Sequence, residues 1–148
     1  GKMKKYELLI DDTIDVFGVT LFRIKALISF GNVAKGDLGG YVEKEGNLSH
    51  SGDAWVSGNA RVSGDALVYG DALVYGDADY IVFKNHWSSG RYFTYTKSNK
   101  MWKVGCFYGT GQELIEKAYR DSEVSGKHYE AYVEFVEKLE EITNEKHN

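Results

Sequence analysis

The central part of the chain is built from a six-residue repeat. Each unit has Gly at its second position, Asp or Asn at its third and Ala at its fourth, and the units follow one another without a break: Ser51–Val56, Ser57–Val62, Ser63–Val68, Tyr69–Val74 and Tyr75–Tyr80. A hexad repeat of this kind is typical of a parallel β-helix, in which each unit contributes one short strand and one turn. This repeat restricts the fold more than any other feature of the sequence.

The pattern inside one unit predicts which side chains form the core. Ala and the last residue, usually Val, are two positions apart and therefore lie on the same side of an extended strand. The residue between them points outward. Gly followed by Asp or Asn fits a turn with positive φ. Three such turns would close one triangular coil around a core of Ala and Val.

Counting back in sixes extends the repeat beyond the regular units. It puts Leu48 and Val42 on apolar positions and Gly46 and Gly40 on turn-glycine positions, so the repeat covers residues 32–79. Outward residues of successive coils then stack, with Trp55 over Leu73. A solenoid this short leaves both ends of its core open and needs caps from the flanking segments.

Strands are expected on both sides of the repeat. The segments Tyr6–Ile10 and Val19–Leu27 predict two strands around turn-like residues at Asp11–Asp12 and Phe17–Gly18, and we expect this hairpin to cap the first coil. Residues 80–108 alternate aromatic and polar residues, with breaks at 88–90 and 98–99. This alternation predicts a small antiparallel meander of about three strands.

Two helices are expected at the C-terminal end. Thr110 and Glu113 form a capping box, which predicts a helix that ends near Ser122. An apolar stripe predicts a second helix over roughly residues 126–142. The predicted fold class is mainly β: a short left-handed parallel β-helix with an N-terminal strand cap, a small antiparallel meander and two C-terminal α-helices. The expected divisions are residues 1–31, 32–79 and 80–148.

Composition limits the functional classes. The chain has 148 residues, a net charge of −4 and one cysteine, Cys106, which excludes an intrachain disulfide. No apolar run approaches the ~20 residues that span a bilayer, and the first residues lack the apolar region of a signal peptide. We therefore expect a soluble cytoplasmic protein without a membrane contact, and a buried structural role for Cys106.

Charge is distributed unevenly along the chain. Residues 32–79 contain eight acidic residues and three basic ones, whereas residues 80–110 contain five basic residues and no acidic one. The basic block also holds many of the aromatic residues. Nucleobases stack on Trp and Tyr, and phosphates pair with Arg and Lys. The predicted ligand-binding residues are Trp87, Arg91, Tyr92, Tyr95, Lys100, Trp102 and Lys103.

An ordinary structural role is the alternative for this block. Aromatic residues that alternate along a meander commonly form its core and its cross-strand pairs, with lysines on the solvated side. If the block does bind a ligand, the acidic repeat and helices would repel a long nucleic acid. The expected ligand is therefore a small nucleotide-type anion.

The stacked pair of Trp55 and Leu73 would expose a large apolar patch on a monomer. Cover would come from the C-terminal lobe or from another subunit. We therefore predict a homo-oligomer, a dimer or a trimer, with an interface formed by Trp55, Leu73, Tyr69 and Tyr75.

Catalysis is the least supported reading. Left-handed β-helices often host acyl transfer, with a histidine as general base at the subunit interface. His50 and His86 are the candidates here, but the repeat runs on without the insertion that usually builds an acceptor site. The four histidines are not spaced for a metal site, and Asp after Gly is explained by turn chemistry. We expect no enzyme activity, metal or cofactor.

Several stretches resemble phage and prophage β-helix proteins that are loosely labelled hexapeptide-repeat transferase-like or polymer-forming-like. The similar segments are Gly36–Glu43, the hexads, Asp79–Asn85 and Trp102–Gly109, so the resemblance covers nearly the whole chain. It implies a viral or prophage origin, the host cytoplasm as the compartment and an accessory or counter-defence role.

Three functional hypotheses follow. The preferred one is a non-enzymatic phage protein that sequesters a small nucleotide-type ligand. The second is a protein-interaction module that inhibits or scaffolds a host or phage protein through its acidic or apolar faces. The third is a hexapeptide-repeat acyltransferase.

Overall fold

The structure, a computed structural model, describes residues 3–147, with side chains described to Glu145. It is mainly β, with two C-terminal helices. The elements are β1 (Tyr6–Val16), β2 (Val19–Ala26), β3 (Leu38–Val42), a 3₁₀ turn (Glu45–Asn47), β4 (Trp55–Val56), β5 (Arg61–Val62), β6 (Leu73–Val74), β7 (Tyr80–Lys84), β8 (Tyr92–Thr96), β9 (Met101–Val104), β10 (Phe107–Thr110), α1 (Gly111–Asp121) and α2 (Glu123–His147).

The chain forms two compact units that divide between Tyr108 and Gly109. The first unit contains the N-terminal hairpin, the hexads and most of the meander, and the second contains α1 and α2. The strands of residues 80–108 thus belong to the same unit as the hexads.

The first sheet mixes antiparallel and parallel strands in the order β1-β2-β3-β5. β1 and β2 form the expected hairpin, which turns at Phe17–Gly18. The turn expected at Asp11–Asp12 was wrong, because β1 continues through these residues. Leu9 pairs with Arg23 and Thr13 with Phe22, so the intervening residues are absorbed by a bulge.

Parallel pairs join segments of the repeat. Trp55 pairs with Leu73, eighteen residues further on, as the hexad spacing predicts. Leu48, however, pairs with Val68, twenty residues further on. The segment from Leu48 to Trp55 is therefore two residues longer than the segment on which it stacks, and His50 lies within this insertion.

This insertion overturns the expected role of Gly40. Tyr41 pairs with Arg61, so Gly40 lies next to Ala60 and takes an inward position instead of a turn position. A Cβ atom on Gly40 would lie 2.5 Å from the carbonyl oxygen of Ala60 and 2.8 Å from Cγ1 of Val56. Gly40 is thus required by the close approach of two backbone segments.

The inward positions of the hexads form the main core. In the first four units the residues at the Ala and Val positions are at most 3% exposed: Ala54, Val56, Ala60, Val62, Ala66, Val68, Ala72 and Val74. The predicted alternation is confirmed for these units and was wrong for the fifth, where Ala78 is exposed and Tyr80 is half-buried. Tyr6, Ile24 and Ala26 of the N-terminal hairpin join the same cluster. The hairpin thus packs against the apolar interior of the hexads.

The second sheet is a meander of four strands in the order β10-β9-β8-β7, one strand more than expected. The β7–β8 and β8–β9 pairs are antiparallel. Two hydroxyls join the meander to the hexads: the N–H of Leu67 donates to Oγ1 of Thr94 (2.9 Å) and that of Leu73 to Oγ of Ser98 (2.8 Å). Side-chain acceptors thus satisfy these two backbone donors.

The helical unit begins as predicted. The N–H of Glu113 donates to Oγ1 of Thr110, and the Glu113 carboxylate accepts from the N–H of Thr110. α2 begins at Glu123, earlier than expected, and the hydroxyl of Ser122 accepts from the N–H of Ser125 at its start. Within residues 3–147, no helix is long and apolar enough to cross a membrane.

Replacing Gly40 by Ala should reduce the free energy of unfolding by about 1–3 kcal/mol, because the added methyl group would overlap backbone that cannot move freely. Gly46→Ala is the matched control, since a Cβ atom at Gly46 would meet nothing within 4 Å. Urea unfolding of both variants measures the difference. Equal midpoints would contradict the close packing of Gly40 against Ala60.

Candidate functional site

Two of the seven predicted ligand-binding residues lie in the core of the meander. Tyr95 is 3% and Trp102 is 2% exposed, and their ring centroids are 5.0 Å apart. Phe93 and Phe83 also pack against the Trp102 ring. Because so little of either ring is exposed, neither presents a face on which a nucleobase could stack. For these two residues the structure matches the alternative of ordinary cross-strand packing.

Three further predicted residues lie at separate positions on the meander. Trp87 is half-buried in the β7–β8 connection beside His86, and Lys100 is exposed in the β8–β9 turn. Lys103 is half-buried, with Nζ 4.6 Å from the centroid of the Tyr69 ring. This cation–π contact joins the predicted ligand block to a predicted interface residue.

The remaining two, Arg91 and Tyr92, line one pocket of about 300 Å³. The pocket, called here the anion pocket, is completed by residues of the repeat, and its lining consists of Lys44, Gly46, Asp65, Ala66, Leu67, Arg91 and Tyr92. Tyr92 is 40% exposed, so part of its ring is accessible. The structure therefore brings together two predicted residues with a lysine far away in sequence.

The charges of the anion pocket are only partly compensated. Nζ of Lys44 lies 3.8 Å from Oδ1 of Asp65, a loose ion pair with both side chains about half exposed. Arg91 forms no ion pair with any residue whose side chain the structure describes. The lining thus contains two cationic side chains and one carboxylate, a balance that favours an anion.

Local packing determines the position of Arg91. A Cβ atom on Gly105, which has φ +56°, would lie 2.5 Å from Nη1 of Arg91. The guanidinium group therefore lies against the β9–β10 turn, where the positive φ of residue 105 favours glycine. On the other side of the pocket, the hydrogen bond between Leu67 and Thr94 keeps β8 beside the repeat.

Lys44 and Leu67 were missed in the sequence. Lys44 is one of only three basic residues in the acidic repeat, which was a usable signal. Its proximity to Arg91 depends on the packing of β8 against the hexads, and no local pattern encodes this packing.

The expected exposure of Trp55 was wrong. Trp55 is 5% exposed, because the ring of Phe30 packs edge-on at 5.3 Å and that of Tyr6 lies 6.4 Å away. Its cover comes from the N-terminal segment, whereas the C-terminal lobe or a second subunit was expected. Leu73 is half-buried, and Tyr75 is 64% exposed.

His50 is held in an arrangement that does not suit a general base. Its Nδ1 accepts a hydrogen bond from the N–H of Lys5 (3.1 Å), so the proton of the neutral ring lies on Nε2. Nε2 is buried and finds no hydrogen-bond partner among the described residues; Oε2 of Glu45 is 4.0 Å away. Neither nitrogen therefore offers a free lone pair to a substrate.

Burial lowers the pKa of His50 below its ordinary value of 6.5, although the nearby Glu45 carboxylate acts in the opposite direction. The ring is stacked on Tyr6 with the centroids 4.1 Å apart. These contacts assign His50 to the attachment of the N-terminal strand.

The remaining groups that could bind a metal ion or react with a substrate do not form a common site. Within the described residues, no three His, Cys, Asp or Glu side chains are grouped so that they could hold a metal ion. Cys106 is exposed, so its expected burial was wrong. The reason is its place in the turn between β9 and β10, whereas the segment after the break at 98–99 was expected to continue as a strand through Cys106.

No protein-family model matches this sequence, and a search of curated proteins finds no similar sequence. The interpretation of the site therefore depends on the contacts described above.

Acidification should destabilise the protein through His50. Its pKa is lower in the folded state, so the unfolded chain binds the proton more readily. The stabilisation is complete above the ordinary value of 6.5 and is lost as the pH falls toward the lower folded value. Melting temperatures measured from about pH 7.5 to about pH 5.5 should fall more for the wild type than for His50→Gln.

His86→Gln is the control for this experiment, since His86 is exposed. The control should keep the pH dependence of the wild type. A wild-type melting temperature that does not change over this range would contradict the role of His50.

Trp102→Ala should reduce the free energy of unfolding by about 3–5 kcal/mol, the usual effect of removing a buried aromatic ring. Trp87→Ala should have a smaller effect, because Trp87 is only half-buried. Chemical denaturation without ligand measures both. A fully stable Trp102→Ala variant would return Trp102 to the list of ligand-binding candidates.

Proposed function

We propose that this protein is a non-enzymatic binding protein that sequesters a small nucleotide-type anion in the anion pocket. The observation that carries the proposal is the convergence of Arg91 and Lys44, from distant parts of the chain, beside the accessible ring of Tyr92. Arginine and lysine are the side chains that pair with phosphate, and arginine does so with two parallel hydrogen bonds.

The dimensions and the surroundings of the pocket favour a compact ligand. A volume of about 300 Å³ is at the lower end of the range for small-molecule sites. The repeat contributes acidic residues nearby, including Asp65 in the lining itself, and these would repel a long polyanion. A mononucleotide or a small cyclic nucleotide presents few phosphates and suffers less repulsion.

The apolar part of the pocket suits a nucleobase. Tyr92 offers an aromatic face, and Leu67 and Ala66 supply aliphatic surface next to it. Stacking of a base on an aromatic ring contributes about 1–3 kcal/mol. In this arrangement the phosphate lies between Lys44 and Arg91, and the base contacts Tyr92.

The biological setting is part of the same proposal. The resemblance to phage and prophage proteins favours an accessory or counter-defence role in the cytoplasm of a host cell. A short left-handed β-helix over residues 32–79 is the architecture we propose for the repeat. Its support comes from the parallel pairs at spacings of eighteen and twenty residues and from the single apolar cluster inside the repeat.

Acyl transfer receives less support than binding. His50, the histidine within the repeat, uses Nδ1 as an acceptor for the N–H of Lys5, and its Nε2 is buried. A general base at this position would have to leave both contacts with the N-terminal segment.

The proposal predicts that Arg91→Ala weakens nucleotide binding at least about tenfold, because a charge-assisted contact to phosphate is lost. Isothermal titration with a panel of mononucleotides and cyclic nucleotides, combined with native mass spectrometry, measures affinity and stoichiometry. Lys97→Ala is the matched control: it removes the same charge from the same block, and Lys97 is not in the pocket lining.

A wild-type protein that binds none of the nucleotides offered would refute the proposal. Binding that Arg91→Ala and Lys97→Ala weaken equally would also refute it, because the effect would then come from overall charge and not from the anion pocket.

A further inference from the structure

A second concave surface lies on the face of the repeat formed by β4 and β6. It is a groove of about 570 Å³, nearly twice the volume of the anion pocket. Trp55 and Leu73 form its floor, and Leu38 and Tyr75 form exposed apolar walls. Leu38 is 56% and Tyr75 is 64% exposed, so both apolar side chains are accessible to a partner.

The groove is also acidic. Asp37, Asp53 and Asp71 belong to its lining, and the lining contains no Lys or Arg. Among the residues whose side chains are described, none of the three carboxylates is in an ion pair. We call this surface the acidic groove.

The carboxylates have capacity for further contacts. Oδ2 of Asp37 accepts from the N–H of Ala34, and Oδ1 of Asp71 accepts from the side-chain amide of Asn99, both at 2.8 Å. Each carboxylate has a second oxygen, and an ionised carboxylate accepts several hydrogen bonds. Lysine or arginine side chains above the groove would find acceptors on it.

We propose that the acidic groove docks a basic segment of a partner protein. In this mode, one aromatic or aliphatic side chain of the segment packs over Leu73, between Leu38 and Tyr75. Lys or Arg residues on either side of that anchor pair with the three carboxylates. A buried apolar anchor surrounded by polar contacts at the rim is the usual anatomy of a protein interface.

Charge complementarity favours this occupant over a second copy of the chain. A copy carries a net charge of −4 and would approach an acidic face against overall repulsion. The proposal does not depend on the anion pocket, which has a different lining.

The test uses short labelled peptides with the full-length protein. The probe is Arg-Trp-Arg-Leu-Arg, compared with Glu-Trp-Glu-Leu-Glu and Arg-Ser-Arg-Ser-Arg, and affinities come from fluorescence anisotropy at low and high salt. Only the first peptide should bind, because it combines both features of the proposed segment. Added salt should weaken its binding.

Two variants test whether the basic apolar peptide binds in the acidic groove. Asp53→Asn should weaken it about fivefold, and the fold tolerates Asn at this turn position because Asn59 occupies it in the next unit. Tyr75→Ser should weaken it about tenfold, because an exposed apolar wall is lost. Asp11→Asn is the control, since it removes the same charge from an exposed position outside both the groove and the anion pocket and should leave the affinity unchanged.

Three results would overturn the proposal. The first is no binding of the basic apolar peptide. The second is equal weakening by Asp53→Asn and Asp11→Asn. The third is a wild-type oligomer that Tyr75→Ser converts to a monomer in sedimentation experiments, since a second copy would then be the occupant. Melting temperatures of all variants show whether a loss of binding reflects unfolding.

Discussion

The open end of the hexad core depends on two side chains from the N-terminal strand. Nζ of Lys5 donates to the carbonyl oxygens of Ala54 (2.6 Å) and Gly52 (3.2 Å), and the hydroxyl of Tyr6 contacts those of Leu48 (2.6 Å) and Glu45 (2.8 Å). Both residues are at most 1% exposed. Burial lowers the pKa of Lys5 to about 8, so the amine remains mostly charged at neutral pH and is stabilised by these carbonyls. Without these donors, the first irregular turn would leave buried acceptors unsatisfied.

The same region positions both candidate binding surfaces. Before the two-residue insertion that contains His50, paired residues of the repeat are twenty positions apart in the sequence, and after it they are eighteen apart. The pair of Trp55 and Leu73 is the first strand pair after the insertion. Trp55 then packs against Phe30 and Tyr6, which leaves its remaining surface as the floor of the acidic groove. The anion pocket begins just before the insertion, at Lys44. A change in the attachment of the N-terminal strand would therefore affect both surfaces.

Short-range patterns in the sequence correctly predicted which hexad residues are buried in the first four units and where α1 begins. The burial of Ala54 and Val56 follows from the hexad, and the start of α1 follows from Thr110 and Glu113. Long-range packing was not predictable in this way. The insertion was invisible because its residues continue the polar turn pattern. Trp102 was predicted to bind a ligand because a single sequence does not show which aromatic rings are covered by other residues. Lys44 was missed because a single sequence does not show which distant residues lie close together.

The hydrogen bonds to the hydroxyls of Thr94 and Ser98 restrict how many repeat units the chain can contain. Repeats with nearly identical units readily gain or lose a unit by duplication or deletion. Here the N–H groups of Leu67 and Leu73 are each bonded to a fixed position on the meander. One extra unit before Tyr80 would displace the donors from these acceptors by six residues. The hydrogen bonds to the meander therefore favour one number of repeat units over a larger or smaller number.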